Sequence, residues 1–490
     1  GKIDLQTGVR AGELMTMSID SVSTKDIGLG SRASLTSTAF SGTAGSLGKN
    51  TAAGDLLING VSIRASDAAD DVLSSTDKSS SAIAKVAAIN ASSAQTGVVA
   101  TVGNTTVGGS AMTAASLTGS ITINGVATAD FSTSTDAGAS RAMTVAAINA
   151  ISDQTGVRAV DTGDVKKGVV LVADDGRNIE VAFTTLTKAA TGVGAANVYT
   201  GTYQLASTTS SPISIGVSSN GTLSNAGLTA GSYTANVSAM STVDRAAVAT
   251  GGTPLQLNAG DLRINGTAIV ASSTADDTAS DITADSSAKA SSAIAIAAAI
   301  NKASAQTGVT ATAAANEIVG TSFTAAASGD YTGASMWVNG TTIALDSLET
   351  LGHTATRSDV ASLINQYTGQ TGVTATDNGR GLTLVAADGR NVSLGTDVTA
   401  ANLGVNSAAI NAGATDATEG KTTYARVVMQ SDKSFTLEGG SDGNANFELL
   451  GFKTGTYGGV DNGVKVAQID ISTQAGAQVA LTALDSALKS

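Results

Sequence analysis

The chain has 490 residues, a formal net charge of −13, 42% hydrophobic but only 3% aromatic residues, 56 glycines, 2 prolines and no cysteine. That length exceeds what one hydrophobic core fills, so several domains are expected, with thin cores of Val, Ile, Leu and Ala around a single Trp337. Lys and Arg are scattered singly, which argues against nucleic acid and anionic membranes as partners; the lack of cysteine removes disulfides, thiolate metal sites and cysteine nucleophiles, and no apolar run approaches the roughly 20 residues of a membrane span.

In chain order, the first regular feature is Leu5 to Leu29, whose alternation predicts a β-hairpin around Ala11-Gly12. Four copies of one unit follow. Each begins with an apolar strand ending in Asn-Gly: DLLINGVSI (Asp55 to Ile63), SITINGVAT (Ser120 to Thr128), DLRINGTAI (Asp261 to Ile269) and MWVNGTTIAL (Met336 to Leu345). Asn-Gly between alternating residues predicts a hairpin, because a type I′ turn needs positive φ at both central positions. About 25 to 36 residues later each copy has a helical stretch closing on a shared tail: AIAKVAAINASSAQTGV, TVAAINAISDQTGV, AIAIAAAINKASAQTGV and DVASLINQYTGQTGV. Gly97, Gly156, Gly308 and Gly372 sit where a left-handed C-terminal cap is wanted, and the Val after each starts another strand. In the fourth copy Val360, Leu363, Ile364 and Tyr367 mark one buried helix face. Each unit reads as hairpin, helix, strand.

The second and fourth copies share a further segment, GVVLVADDGRNIEVAF (Gly168 to Phe183) and GLTLVAADGRNVSLG (Gly381 to Gly395), where Asp-Gly predicts another hairpin. Equivalent residues, such as Asn59 with Asn265 and Asn124 with Asn339, are offset by 206 to 215 positions, so the chain is duplicated. Thr101 to Thr113 and Ala249 to Pro254 read as surface connections. The final stretch, Val466 to Ser490, predicts a helix capped by Ser472 or Thr473, with Ala480, Ala483, Leu484, Ala487 and Leu488 on its apolar face.

The two ends resemble bacterial flagellin. Gln6, Gly8, Ala11, Gly12, Glu13 and Ile19 match the QxGxxAGExxxxxI hairpin that closes the conserved amino-terminal region of that family, and Val466 to Ser490 resembles the start of its carboxy-terminal helix, with the pattern IDISTxxGAxxAxxxLDxAL. The inner units are similar to the "IN" repeat of long flagellins, which other filament-associated proteins share. The resemblance implies that long polymerising helices lie outside this sequence. It also implies a secreted, extracellular structural protein of the flagellum, whose partners are other flagellin subunits when full length.

The expected class is α+β, strand-rich and multidomain. Residues 1–45 and 460–490 form the stump of a filament-core domain. A first outer module spans 48–250, with repeats near 55–102 and 119–195 and closing strands 199–245. A second spans 254–459, with repeats near 259–318 and 334–405 and closing strands 422–459. This portion alone is expected to be monomeric. A filament-cap or hook-associated protein, or a secreted adhesin binding polysaccharide, stays open as an alternative, as does a surface glycan or host receptor as partner.

No catalytic, cofactor-binding or metal-ligating residue is assigned, no cofactor is implied and no enzyme activity is expected. His353 has no second His or Cys to complete a zinc site, and is expected at a surface helix end. Asp174-Asp175 and Asp276-Asp277 lack the spacing of a calcium loop and are expected in solvated turns.

Overall fold

The computed structural model describes residues 2–6, 14–18, 33–208, 211–218, 221–234, 238–431 and 433–458. Lys2–Gln6 and Leu14–Ser18 pair as an antiparallel ladder, with Lys2 opposite Ser18 and Gln6 opposite Leu14. The Ala11-Gly12 turn and the expected helix over Val466 to Ser490, with its caps at Ser472 or Thr473, lie outside the described residues.

The protein is mixed α+β, strand-rich and multidomain, with mainly antiparallel sheets. Five residues written into every copy explain the repeated unit. At each Asn-Gly turn both residues have positive φ: 52° and 80° at Asn59-Gly60, 51° and 82° at Asn124-Gly125, 50° and 74° at Asn265-Gly266, 47° and 76° at Asn339-Gly340. Gly alone would permit that backbone. Asn adds a side chain whose Nδ2 donates to the carbonyl of the tail threonine, Thr96, Thr155, Thr307 or Thr371, at 2.7 to 3.0 Å. Its Oδ1 accepts the N–H of Ser214, Glu180, Thr436 or Ser393 on the adjoining strand. The hairpin is thereby stapled to the far end of its own helix.

The asparagine that ends each AIN or LIN helix, Asn90, Asn149, Asn301 or Asn365, uses its amide as a backbone mimic. Its Nδ2 donates to the carbonyl of Ala100, Ala159, Ala311 or Ala375. Its Oδ1 accepts the N–H of the same alanine. The tail glycine is left-handed at φ 67 to 70° in all four copies, and the threonine before it accepts the N–H of the following valine through Oγ1. Ser81, Asp136, Ser292 and Thr356 cap the four helices at the other end.

The two halves share one six-stranded sheet, in the order Thr310–Ala313, Val427–Ser431, Ser238–Ser241, Ser34–Thr36, Tyr203–Ser207, Val98–Val102. The central pair, Ser34–Thr36 against Ser238–Ser241, is parallel; the others are antiparallel. Equivalent strands therefore run the same way while their order reverses, which relates the halves by an approximate two-fold axis along the strands. Such an axis exchanges the faces of the sheet. Accordingly Leu35, Leu205 and Ala100 enter the core of the first half, while Met240, Met429 and Ala311 enter that of the second. Their alternate neighbours Ala239 and Val428 cross over to the first core, as a two-residue side-chain period demands.

Within each half the second repeat is nested in the first. Val98–Val102 pairs with Tyr203–Ser207, and the chain between them forms a separate body around Val107, Ile121, Ile148 and Leu171. Thr310–Ala313 pairs with Val427–Ser431 around an equivalent body containing Met336, Ile343, Val360 and Leu384.

Three expectations are corrected. Ser34–Thr36, placed with the terminal segment at 1–45, lies at the centre of the shared sheet, and Ser238–Ser241, placed among the closing strands of the first module, is its counterpart in the second half. The boundaries at 45 and 250 miss this because three-residue strands carry too little periodicity. Thr101 to Thr113 is not merely a connection, since Thr105–Val107 is a strand of the nested body with Val107 fully buried. Finally, the Asp-Gly turns do not close hairpins. Val169–Ala173 and Ile179–Phe183 belong to different sheets, as do Leu382–Ala386 and Val392–Thr396. The turn residues spend their polar groups elsewhere: Arg177 on Asp175 and the Thr155 carbonyl, and Asn178 on the Thr76 and Asp77 carbonyls.

Candidate functional site

Asn178 and Asn391, last of the shared Asp-Gly-Arg-Asn runs, lock each nested body to its parent. Both are fully buried. The Asn178 N–H donates to Ser74 Oγ (2.9 Å), and that of Asn391 to Ser280 Oγ (3.0 Å). The Asn391 amide also donates to Ser287 Oγ and the Ala288 carbonyl. Asp71 and Asp277 hold the loops that receive them, each accepting two backbone N–H groups through Oδ1.

Asp277 is therefore not in a solvated turn. It is 1% exposed, and although burial works to raise its carboxyl, hydrogen bonds from Ser280, Ser292 and the backbone hold it below the usual range. Asp276 pairs with Lys302 at 2.6 Å, Asp174 with Arg158 at 3.1 Å and Asp175 with Arg177 at 2.6 Å. His353 is exposed and touches Asp359 Oδ2 at 3.2 Å, beside the Thr356 capping box. These groups lie in separate parts of the fold. Among the described residues no group of three or more His, Cys, Asp or Glu is placed to hold a metal ion, and no helix is long and apolar enough to cross a membrane.

A cleft of about 390 Å³ lies where the closing segment of the first half faces the second half and its nested body. Its floor is apolar, from Leu223, Leu228 and Ile318. Its charged wall begins with Arg426, which donates bidentately to Asp244 (2.5 and 2.7 Å) and reaches the Leu228 carbonyl (3.1 Å), so one guanidinium ties both halves. Burial works to raise the Asp244 carboxyl, but the Arg426 charge and hydrogen bonds hold it below the usual range; Asp244 itself keeps 57% of its side chain open. Arg245 donates to the Ser291 and Leu255 carbonyls and stacks over Tyr424 at 4.5 Å, and burial lowers its pKa to about 10. Glu317 stands at the exposed mouth, where shielding by the cleft raises its carboxyl against the pull of Arg426.

None of these cleft residues is singled out by sequence reasoning. The one available signal is that charged residues interrupt an otherwise faithful repeat. Compared with known proteins, the chain matches no family model and no curated sequence.

Proposed function

We propose that this chain is the outer part of a structural subunit of the bacterial flagellar filament, its two terminal segments forming a base and residues 33–458 projecting from it. The reading rests on the end motifs, Gln6 to Ile19 and Ile469 to Leu488, and on one observation in the fold. The Gly458 N–H donates to Thr36 Oγ1 at 3.3 Å, across 422 positions of sequence, and Lys453 Nζ reaches Ser41 Oγ at 3.3 Å. The chain thus leaves the outer body beside the point where it came in, the geometry of an insertion looped out of a base. The fused cores suit such a role, since a body held by a continuous six-stranded sheet transmits load without a hinge at the duplication boundary.

The test is immunogold labelling of sheared surface filaments with antibodies raised against residues 33–458. Labelling along the whole filament is expected. Gold confined to the tip or the hook junction would favour a cap or hook-associated protein, and gold on the cell body alone would favour an adhesin; either contradicts the proposal.

A further inference from the structure

The two-fold relation predicts a second cleft equivalent to the first, and the structure holds one, but closed. Around Thr106, Thr202 and Thr454 only a crevice of about 10 Å³ is left, against about 390 Å³ on the other side. Residue-by-residue equivalence shows why. The closing motifs GLTAGSY (Gly227 to Tyr233) and GFKTGTY (Gly451 to Tyr457) superimpose, so Thr229 stands where the other half has Lys453. In the same way Thr423 stands for Tyr199, Asp244 for Ala39, Glu317 for Thr106 and Arg426 for Thr202.

On the closed side, bulk and the chain's own ammonium occupy the space. Tyr199 donates to the Ala195 carbonyl (2.9 Å), and the half-buried Lys453 extends to Ser41, drawn by the Glu448 carboxylate. On the open side the lysine is a threonine whose hydroxyl is engaged with Tyr233, and among the described residues no lysine pairs with the acid that faces the cleft, Glu317. Asp244 is already committed to Arg426, whereas among the described residues no side chain donates a hydrogen bond to the Glu317 carboxylate. An apolar floor leading to an available carboxylate matches a methylene stem carrying a cation.

We propose that the open cleft binds an alkylammonium group, its stem on the apolar lining at Leu223 and Leu228 and its charge against Glu317, as a lysine side chain or a free alkylamine would present it. The proposal is independent of the filament reading. No bond is made or broken; recognition is by charge and apolar fit.

The experiment is a ligand-observed NMR titration of the whole chain with n-pentylamine and with Nα-acetyl-lysine N-methylamide, using n-pentanoate as the control of opposite charge. Both amines are expected to saturate one site with Kd of about 1–10 mM, in keeping with so few atoms, and pentanoate to bind at least about tenfold more weakly. Tighter binding of the lysine derivative would identify a polypeptide as the source of the ammonium, and equal binding a free amine; both support the site. Glu317→Gln should weaken the amines at least about tenfold. Thr229→Lys, which places the chain's own ammonium where Lys453 stands in the other half, should abolish binding and raise the melting temperature. Glu317→Thr, copying Thr106, gives a second loss-of-charge variant already tolerated by this fold. Failure of either amine to saturate, equal binding of pentanoate, or undiminished binding by both Glu317 variants would overturn the proposal.

Discussion

Asn339 shows how much one residue specifies. It holds φ at 47° and bridges the Thr371 carbonyl and the Ser393 N–H at 2.8 Å each, with 6% of its surface exposed. Asn339→Ala would strand two buried backbone groups and leave a β-carbon in the left-handed region without the amide bonds that offset its strain, at a cost of about 2–4 kcal/mol. Asn339→Gly removes the bonds but not the conformational freedom, so it should cost about 1 kcal/mol less; equal losses in denaturant unfolding would show that the turn geometry carries no strain. Lys85 makes a different point. It lies 3% exposed under Phe40, with its ammonium 4.5 Å from the ring, where the third repeat has Ile296. Burial, and then Lys49 nearby, lower its pKa from 10.5 to about 7. Between those two values the folded chain binds fewer protons than the unfolded one, so stability should rise as pH increases from about 7 toward 10. Below pH 7 the cost of the buried charge is present in full. Lys85→Ile should therefore stabilise the protein at pH 6 by about 1–3 kcal/mol, less the lost ring contact, and flatten thermal stability between pH 7 and 9. An unchanged pH profile would show that the ammonium stays solvated.

At the scale of elements, the nested bodies depend on small polar locks. Asn391→Ala would release the Ser287 and Ala288 contacts while leaving the backbone N–H on Ser280. Hydrogen exchange should then accelerate about tenfold in the loop over 280–292 and in Val392–Thr396, with helix Arg357–Asn365 still protected, because local openings follow local contacts. Uniform acceleration would mean that the lock supports the whole half. The hairpin, helix and strand of each repeat were legible because Asn-Gly, the AIN or LIN helix end and the Gln-Thr-Gly-Val tail each place a turn or cap by local chemistry. The nesting was not legible, since pairing of Val98–Val102 with Tyr203–Ser207 is set by contacts a hundred residues apart. The Asp-Gly turns misled for a related reason: the dipeptide specifies a reversal, while Asn178 and Asn391 decide which sheet the next strand joins. The cleft was invisible because it arises from differences between repeats, at Thr229 and Thr423, rather than from any motif.

For the whole molecule, duplication produced two halves back to back across one sheet, with opposite faces covered by opposite cores. One inter-half contact is tightly closed, through Asn444 to the Gly109 carbonyl and Lys167 to Glu438, and its symmetry mate is open. The body formed by residues 33–458 is entered and left at one place, beside Thr36 and Gly458. If that place is the base of a projecting body, cryo-electron microscopy of filaments sheared from the cells that make this protein decides the matter. The account predicts that density for residues 33–458 lies at the outer radius of every subunit, with Thr36 and Gly458 both on its inward side. Density for this body at the filament axis, or Thr36 and Gly458 directed away from the filament core, would contradict it.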